Sequence, residues 1–305
     1  MIPLLLAVAV AQAPGPRVVV VTGVGGEPAY IAAFSRQAQE LIGGLQRHGV
    51  APQRITWLSG DSARAPGRPA GNATKARLAG EVAGSLATAR QGDRLVIVYL
   101  GHGSDQGEPR LNLPGPDLSA GELGAMVDAW PGPVALIIAA SASGGFADAL
   151  AAGNRLVITA TKSGFERNET RFGAAFARAF SGEAADADKD GELSLLEAFH
   201  FADREVAREY EAGNRLRTEH ARITDSALAR EFAFAAPGSV VSAAAGDSAL
   251  ARLLDRRRAL EAEVTRLRGR RATMDSTAYE RALEDLLVAL AETSQAIRRR
   301  TEGKP

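Results

Sequence analysis

The sequence predicts an α/β fold in which a mostly parallel β-sheet lies between two layers of α-helices. The first observation is a set of apolar, β-rich runs at VVVV (18–21), LVIVYL (95–100), VALIIAA (134–140) and LVITAT (156–161). The second is that segments with helix-spaced apolar residues separate these runs. Strands that are apolar throughout are buried on both faces, so their alternation with helices indicates a parallel sheet that is covered on both sides.

The elements follow one another along the chain in a regular order. They are predicted as strand 17–22, helix 27–48, strand 54–58, a Pro/Gly/Ala-rich loop 61–72, helix 73–91, strand 94–100, strand 134–140 and strand 155–161. From 181 to 235 the pattern changes to helices around an acidic loop. This order favours one main domain over about 17–235.

The chain ends in a predicted helical hairpin. Residues 247–300 place Leu, Val, Ile and Ala at helical spacing among many charges, and Gly269 to Ser276 interrupt the pattern. We favour a terminal helix pair that packs its apolar stripe on the main domain. The alternative is an arm for oligomerisation or docking.

Composition restricts the classes of function. The chain has 305 residues, of which 46% are apolar and 24% are charged, as in ordinary soluble globular proteins. Its 36 basic residues equal its 36 acidic residues, so the chain has no net positive charge that would attract nucleic acid. There are no cysteines, which excludes disulfides, zinc-thiolate sites and thiol catalysis.

The amino terminus resembles a secretory signal. A short apolar run precedes Ala11-Gln12-Ala13, a small-residue cleavage pattern, so we expect residues 1–13 to be a signal peptide and the protein to be exported to the periplasm or the extracellular space. The alternative is a buried first strand or an incorrectly assigned start. No other segment of the sequence is apolar enough to span a bilayer.

Two predicted strands end in residues that could take part in catalysis. His102 stands between Gly101 and Gly103 after one strand, where we expect little side-chain packing around the imidazole, and Ser141 directly follows another strand. The carboxyl ends of parallel strands meet at one crevice, where an imidazole could activate a hydroxyl and backbone amides could stabilise an oxyanion. The alternative is a turn histidine and a turn of small residues.

These motifs resemble the legumain-type peptidases of the caspase-like clan, in the form found in exported bacterial proteins. The resemblance covers 17–235 and rests on VYLGHGS and AASASGGF, with support from TATKSGFERNETRFGAAF and TEHA. It implies a caspase-like three-layer sandwich and a peptide or protein as substrate or ligand. It also implies that His102 is the base, that Ser141 occupies the nucleophile position and that Gly103 donates to the oxyanion.

The sequence departs from the family at the nucleophile, since the family has cysteine where this chain has Ser141. A serine hydroxyl is a far weaker acid than a thiol and normally needs a base oriented by a third group. Asp105 is near in sequence, but sequence alone does not place it behind the imidazole. We favour an inactive or strongly weakened relative over an active serine variant or a cysteine enzyme with an introduced serine.

An acidic loop fits the twelve-residue calcium-binding pattern of EF-hands. Its predicted ligands are Asp186, Asp188 and Asp190, the carbonyl of Glu192, Ser194 and the closing carboxylate of Glu197, with Gly191 at the sharp turn. Apolar, helix-like segments flank this loop, 186–197. A single loop of this kind indicates a structural Ca²⁺ site, and the alternative is a solvated acidic turn.

Overall fold

A seven-stranded sheet forms the centre of the main part of the chain in the computed structural model. The structure describes residues 16–235, 240, 244 and 246–302, so the expected signal peptide, 1–13, lies outside the described residues. The chain divides into two units, of which the first comprises 1–188 and 193–234 and the second comprises 189–192 and 235–305.

Helices and strands are numbered in chain order. The strands are β1 (Arg17–Thr22), β2 (Ile55–Ser59), β3 (Gly71–Asn72), β4 (Leu95–Gly101), β5 (Gly103–Asp105), β6 (Pro109–Leu111), β7 (Leu118–Ser119), β8 (Val134–Ala140), β9 (Arg155–Thr159), β10 (Glu192–Ser194), β11 (Arg222–Ile223) and β12 (Ala233–Ala235). The helices are α1 (Pro28–Arg47), α2 (Lys75–Leu86), α3 (Ala120–Val127), α4 (Gly144–Leu150), α5 (Phe172–Ala179), α6 (Leu195–Ala212), α7 (Ser226–Glu231), α8 (Ser248–Gly269) and α9 (Ser276–Glu302).

The strand order in the central sheet is β11-β9-β8-β4-β1-β2-β3. All neighbouring pairs are parallel except β11 with β9, which is antiparallel. The strands at the two edges, β3 and β11, are two residues long each. The predicted mostly parallel sheet is therefore confirmed.

Alternate residues of each strand enter opposite cores. In β1, Val18 and Val20 pack with residues of α1, α5 and α6, whereas Val19 and Val21 pack with residues of α2, α3 and α4. Both sets are almost fully buried, which explains why the strands are apolar without interruption. The predicted three-layer α/β architecture is confirmed.

The sequence missed the short strands between β4 and β8. The residues between these strands form the antiparallel sheet β5-β6-β7 before α3 begins. These strands are two or three residues long, too short for a periodic signal. The predicted helix 73–91 also proves shorter, because α2 ends at Leu86.

The second unit contains the predicted helical hairpin, formed by α8 and α9. Leu250 and Leu254 near the start of α8 pack with Ile297 near the end of α9, so the helices run antiparallel. Asp247 accepts hydrogen bonds from the first amides of α8, and its carboxylate pairs with Arg300 of α9 at 2.8 Å. Across the ranges that the structure describes, no helix is both long and apolar enough to cross a membrane.

Two adjacent glycines of α1 provide a test of the packing between α1 and α5. A Cβ on Gly44 would overlap Phe180, which follows α5, at 2.7 Å from its carbonyl oxygen, whereas a Cβ on Gly43 would meet only the guanidinium of Arg47 at 3.5 Å. We expect Gly44→Ala to lower the free energy of unfolding by about 1–3 kcal/mol through overpacking. Gly43→Ala should raise it by about 0.5–1 kcal/mol through helix propensity. Urea denaturation measures both values, and equal effects would contradict the tight contact.

Candidate functional site

The pairing of β4 with β8 determines where the two predicted catalytic side chains emerge. Gly101 and Ala140 form the last register pair of these parallel strands, so His102 and Ser141 are the next residue on each. Adjacent strands lie about 4.8 Å apart. Both residues line one narrow cleft. The structure thus brings the predicted imidazole and hydroxyl to a common site.

The side chain of His102 packs against two aromatic rings of α1. Its ring meets Tyr30 edge-on at a centroid distance of 4.7 Å and Phe34 at 5.1 Å. The expectation of little side-chain packing around this imidazole was therefore wrong, because α1 lies over the end of β4. The carbonyl of His102 accepts hydrogen bonds from the Tyr99 hydroxyl (2.7 Å) and the Asn112 amide (3.1 Å). These contacts hold both the ring and the backbone of His102 in place.

The surroundings of His102 favour its neutral form. Burial lowers the pKa of this imidazole below its ordinary value, and the carboxylate of Glu169 opposes the shift. A neutral imidazole is the form that accepts a proton. The carboxylate of Asp105 accepts the amide of Gly107 at 2.9 Å, and none of the described hydrogen bonds joins it to the ring of His102.

The hydroxyl of Ser141 is engaged with the backbone of Gly103. It donates to the Gly103 carbonyl at 3.1 Å, and the Gly103 amide points at the same oxygen from 3.4 Å. Among the described hydrogen bonds, none joins Ser141 to His102. Gly103 therefore directs its amide at the hydroxyl oxygen of Ser141, and its carbonyl accepts the proton of that hydroxyl.

The turn after Ser141 has an uncommon backbone conformation. Ala142 has a φ of 52°, in the left-handed region that non-glycine residues seldom occupy, and its amide donates to the Glu166 carbonyl at 2.8 Å. A Cβ on Gly144 would overlap the backbone of Lys162 and Ser163. The backbone of the loop that follows β9 therefore approaches Gly144 closely.

This loop is supported by the segment TEHA, which sequence reasoning had not connected to it. The ring of His220 contacts the carboxylate of Glu166 at 2.6 Å, and the amide of His220 donates to it at 3.1 Å. Buried Glu219 accepts the amides of Arg171 and Phe172 at the start of α5. Burial raises the pKa of Glu219 above its ordinary value despite these hydrogen bonds. These carboxylates hold the loop between β9 and α5.

The loop 186–197 has several features that a calcium loop requires. Carboxylate oxygens of Asp186, Asp188 and Asp190 lie within 4.8 Å of one another. Gly191 has a φ of 82°, which fits the sharp turn. The carboxylate of Glu197 accepts the amides of Ala187 and Ser194, both at 2.9 Å. The three aspartate carboxylates are thus close enough to share a hard divalent cation, whereas the carboxylate of Glu197 is engaged with backbone amides.

Within the second unit, which includes residues 189–192 of this loop, two arginines of α8 pair with carboxylates. Arg257 pairs with Asp190 at 2.8 Å, and Arg258 pairs with Glu192. Glu192 was predicted to contribute only its carbonyl, so its side-chain pairing does not conflict with that role. The guanidinium of Arg257 instead competes with any cation for the Asp190 carboxylate.

The sequence matches no protein-family model and no curated protein. Among solved structures, a protein from Geobacter sulfurreducens is similar with 13% identity and a TM-score of 0.46, over 71% of this chain and 96% of that one. Caspase-1 from Spodoptera frugiperda is similar with 13% identity and a TM-score of 0.46, over 70% and 91% of the two chains. These likenesses concern architecture, and no functional conclusion rests on them.

The opposing influences on His102 predict the direction of one pKa change. Glu169→Gln removes the negative charge that favours the imidazolium, so the pKa of His102 should fall further below its ordinary value. A histidine-selective NMR titration measures it, with His102→Ala assigning the signal. Glu211 is exposed and does not line the cleft, so Glu211→Gln, which removes an equal charge, should leave the pKa of His102 unchanged. An unchanged pKa in Glu169→Gln would contradict the assignment of Glu169 as the neighbouring charge.

Proposed function

We propose that the chain is a peptidase-fold protein that binds a peptide or protein segment beside His102 and Ser141, with hydrolysis absent or strongly weakened. The observation that supports this proposal is the register of β4 and β8, since His102 and Ser141 follow its last pair and line one cleft, and the Gly103 amide points at the Ser141 hydroxyl oxygen. That combination is the minimum for acyl transfer.

The residues would act as follows on a bound peptide carbonyl. His102, whose pKa burial lowers, would accept the proton of the attacking side chain and return it to the leaving amine. Ser141 would attack the carbonyl. The amides of Gly103 and Ser141 would stabilise the negative charge that develops on the carbonyl oxygen.

Two observations support weak activity. The Ser141 hydroxyl donates to a backbone carbonyl, so its proton is not presented to His102. Among the described hydrogen bonds, no carboxylate accepts from the His102 ring, whereas serine catalysis normally uses an acid in that position. A thiolate would form more readily at this position, because a thiol has a pKa of about 8.5.

An active serine endopeptidase is the alternative, and the contact between the Gly103 amide and the Ser141 oxygen favours it. Rotation of the hydroxyl hydrogen toward His102 would change only the partner of its hydrogen bond. A serine introduced into a cysteine enzyme would have the same structure.

Ser141→Cys tests the proposal, because the chain contains no other thiol. We expect this variant to be labelled rapidly by peptidyl acyloxymethyl ketones and to hydrolyse peptides faster than the unsubstituted protein. Adding His102→Ala should lower the rate of labelling about 10²–10⁴-fold, the usual contribution of a positioned base. Mass spectrometry of the labelled peptide and rate measurements report both effects.

The controls separate the alternatives. Ser143→Cys places the thiol two residues away on a fully buried side chain and should label slowly. The unsubstituted protein should show little labelling by a fluorophosphonate, whereas rapid labelling of Ser141 that depends on His102 would favour the active serine enzyme. Slow labelling of Ser141→Cys, equal with and without His102, would refute the proposed site.

We also propose that the loop 186–197 binds Ca²⁺ as a structural ion. Asp186, Asp188 and Asp190 would hold it with the carbonyl of Glu192, Ser194 and Glu197, and the clustering of the three aspartate carboxylates supports this. The ion would supply positive charge to a loop that ends at the start of α6. No step of the peptide chemistry passes through it.

Calcium should stabilise the folded protein through this loop. At a free concentration of about 100 times Kd, a single site contributes about 2.7 kcal/mol, so Tm should rise in calcium relative to a chelator. The double variant Asp186→Asn/Asp188→Asn should lose the rise, whereas the exposed Asp285→Asn should retain it. Calorimetric scans measure Tm, and terbium luminescence reports binding of an ion to the loop. A Tm that calcium leaves unchanged in the unsubstituted protein would refute the site.

A further inference from the structure

An exposed apolar strip runs along the outer face of α9. Leu287 and Val288 are 45% and 53% exposed, and together with Leu283 and Ala291 they line an open groove on this helix. Another side of α9 packs inside the hairpin, where Ile297 is buried against α8. Contiguous apolar side chains that face water are a feature of surfaces that bind another molecule.

The outer face has the spacing of a surface on which helices pair. Its exposed residues Glu280, Glu284, Leu287, Ala291 and Arg298 follow one another at intervals of four, three, four and seven positions. Such intervals keep side chains on one face of a helix and are typical of helices that pack along their length. The apolar residues are at the centre of this face, and the charged residues are at its ends.

The charge on the outer face changes sign along the helix. Glu280 and Glu284 precede the apolar centre, and Arg298 follows it. Within the described part of the chain, none of these three side chains forms an ion pair, and Glu280 accepts only the hydroxyl of Ser276 at 3.3 Å. Two antiparallel copies of this face bring opposite charges together at both ends, whereas two parallel copies bring like charges together. The face is therefore complementary to itself in one orientation.

We propose that the outer face of α9 binds the same face of a second copy of this chain, with the two helices antiparallel. A two-fold axis at the level of Ala289 puts Leu287 of each copy next to Ala291 of the other, and Glu280 next to Arg298, so every contact occurs twice. Apolar burial supplies the affinity, and the paired charges determine the direction. The inference is independent of the proposed function, because no residue of the peptide site takes part.

Sedimentation equilibrium of the full chain over a range of concentrations tests the association. We expect the mass of a dimer at high concentration and dissociation on dilution. Leu287→Glu should raise Kd by about 100-fold or more, because each dimer loses two buried leucines. Leu216→Glu is the matched control, since it makes the same change at a leucine of the first unit that is 91% exposed, and it should leave Kd unchanged.

Introduced thiols test the direction of pairing, because the chain contains no cysteine. In the antiparallel dimer the two copies of residue 280 lie about 27 Å apart along the helix axis, at a rise of about 1.5 Å per residue. Residue 280 of one copy instead lies beside residue 298 of the other. A short bismaleimide should therefore join Glu280→Cys to Arg298→Cys in an equal mixture, and it should join neither variant to itself.

Each measurement has an outcome that contradicts the proposal. A monomer at every concentration overturns the association, even if that monomer binds lipid vesicles or another protein. A dimer that Leu287→Glu leaves intact overturns this face as its interface. Crosslinking of Glu280→Cys to itself overturns the antiparallel orientation. Far-UV circular dichroism of Leu287→Glu should match that of the unsubstituted protein, so that loss of the dimer reports the interface rather than unfolding.

Discussion

The parallel pairing of β4 with β8 is the constraint on which the rest of the site depends. Seven register pairs hold these strands together, and the last of them, Gly101 with Ala140, leaves both chains at the same level of the sheet. A shift of one residue would turn every side chain of a strand to the opposite face. Since both faces are filled by separate apolar cores, such a shift is strongly opposed, and the positions of His102 and Ser141 are fixed by core packing.

The elements outside this strand pair complete the site in different ways. Helix α1 supplies the aromatic contacts of His102, and Tyr99 secures the backbone beyond β4 from within the core. The loop after β9 supports the turn at Ala142, and His220 and Glu219 hold that loop and the start of α5. The loop after β9, itself held by the segment around His220, therefore supports the backbone beside Ser141, which is why the left-handed conformation of Ala142 is tolerated.

The sequence could predict what periodicity and local motifs encode. Long apolar strands, the helical hairpin and the strand-end positions of His102 and Ser141 all follow from patterns within one segment. The contacts of Tyr30, Phe34 and Glu169 with the site could not be predicted in this way, because they depend on how α1 and the loop before α5 pack over the sheet. The spacing of Tyr30 and Phe34, four residues apart on one helix face, was the only local signal. The short strands β5, β6 and β7 gave no periodic signal at all.

The two-residue strands at the margins of the central sheet limit how this protein associates. An exposed strand invites another chain to add alongside it through backbone hydrogen bonds, and short marginal strands are one way in which proteins prevent such growth. Here β3 and β11 are each two residues long, so each presents only a short edge. Each of these two strands is therefore a poor template for the addition of a strand from another molecule.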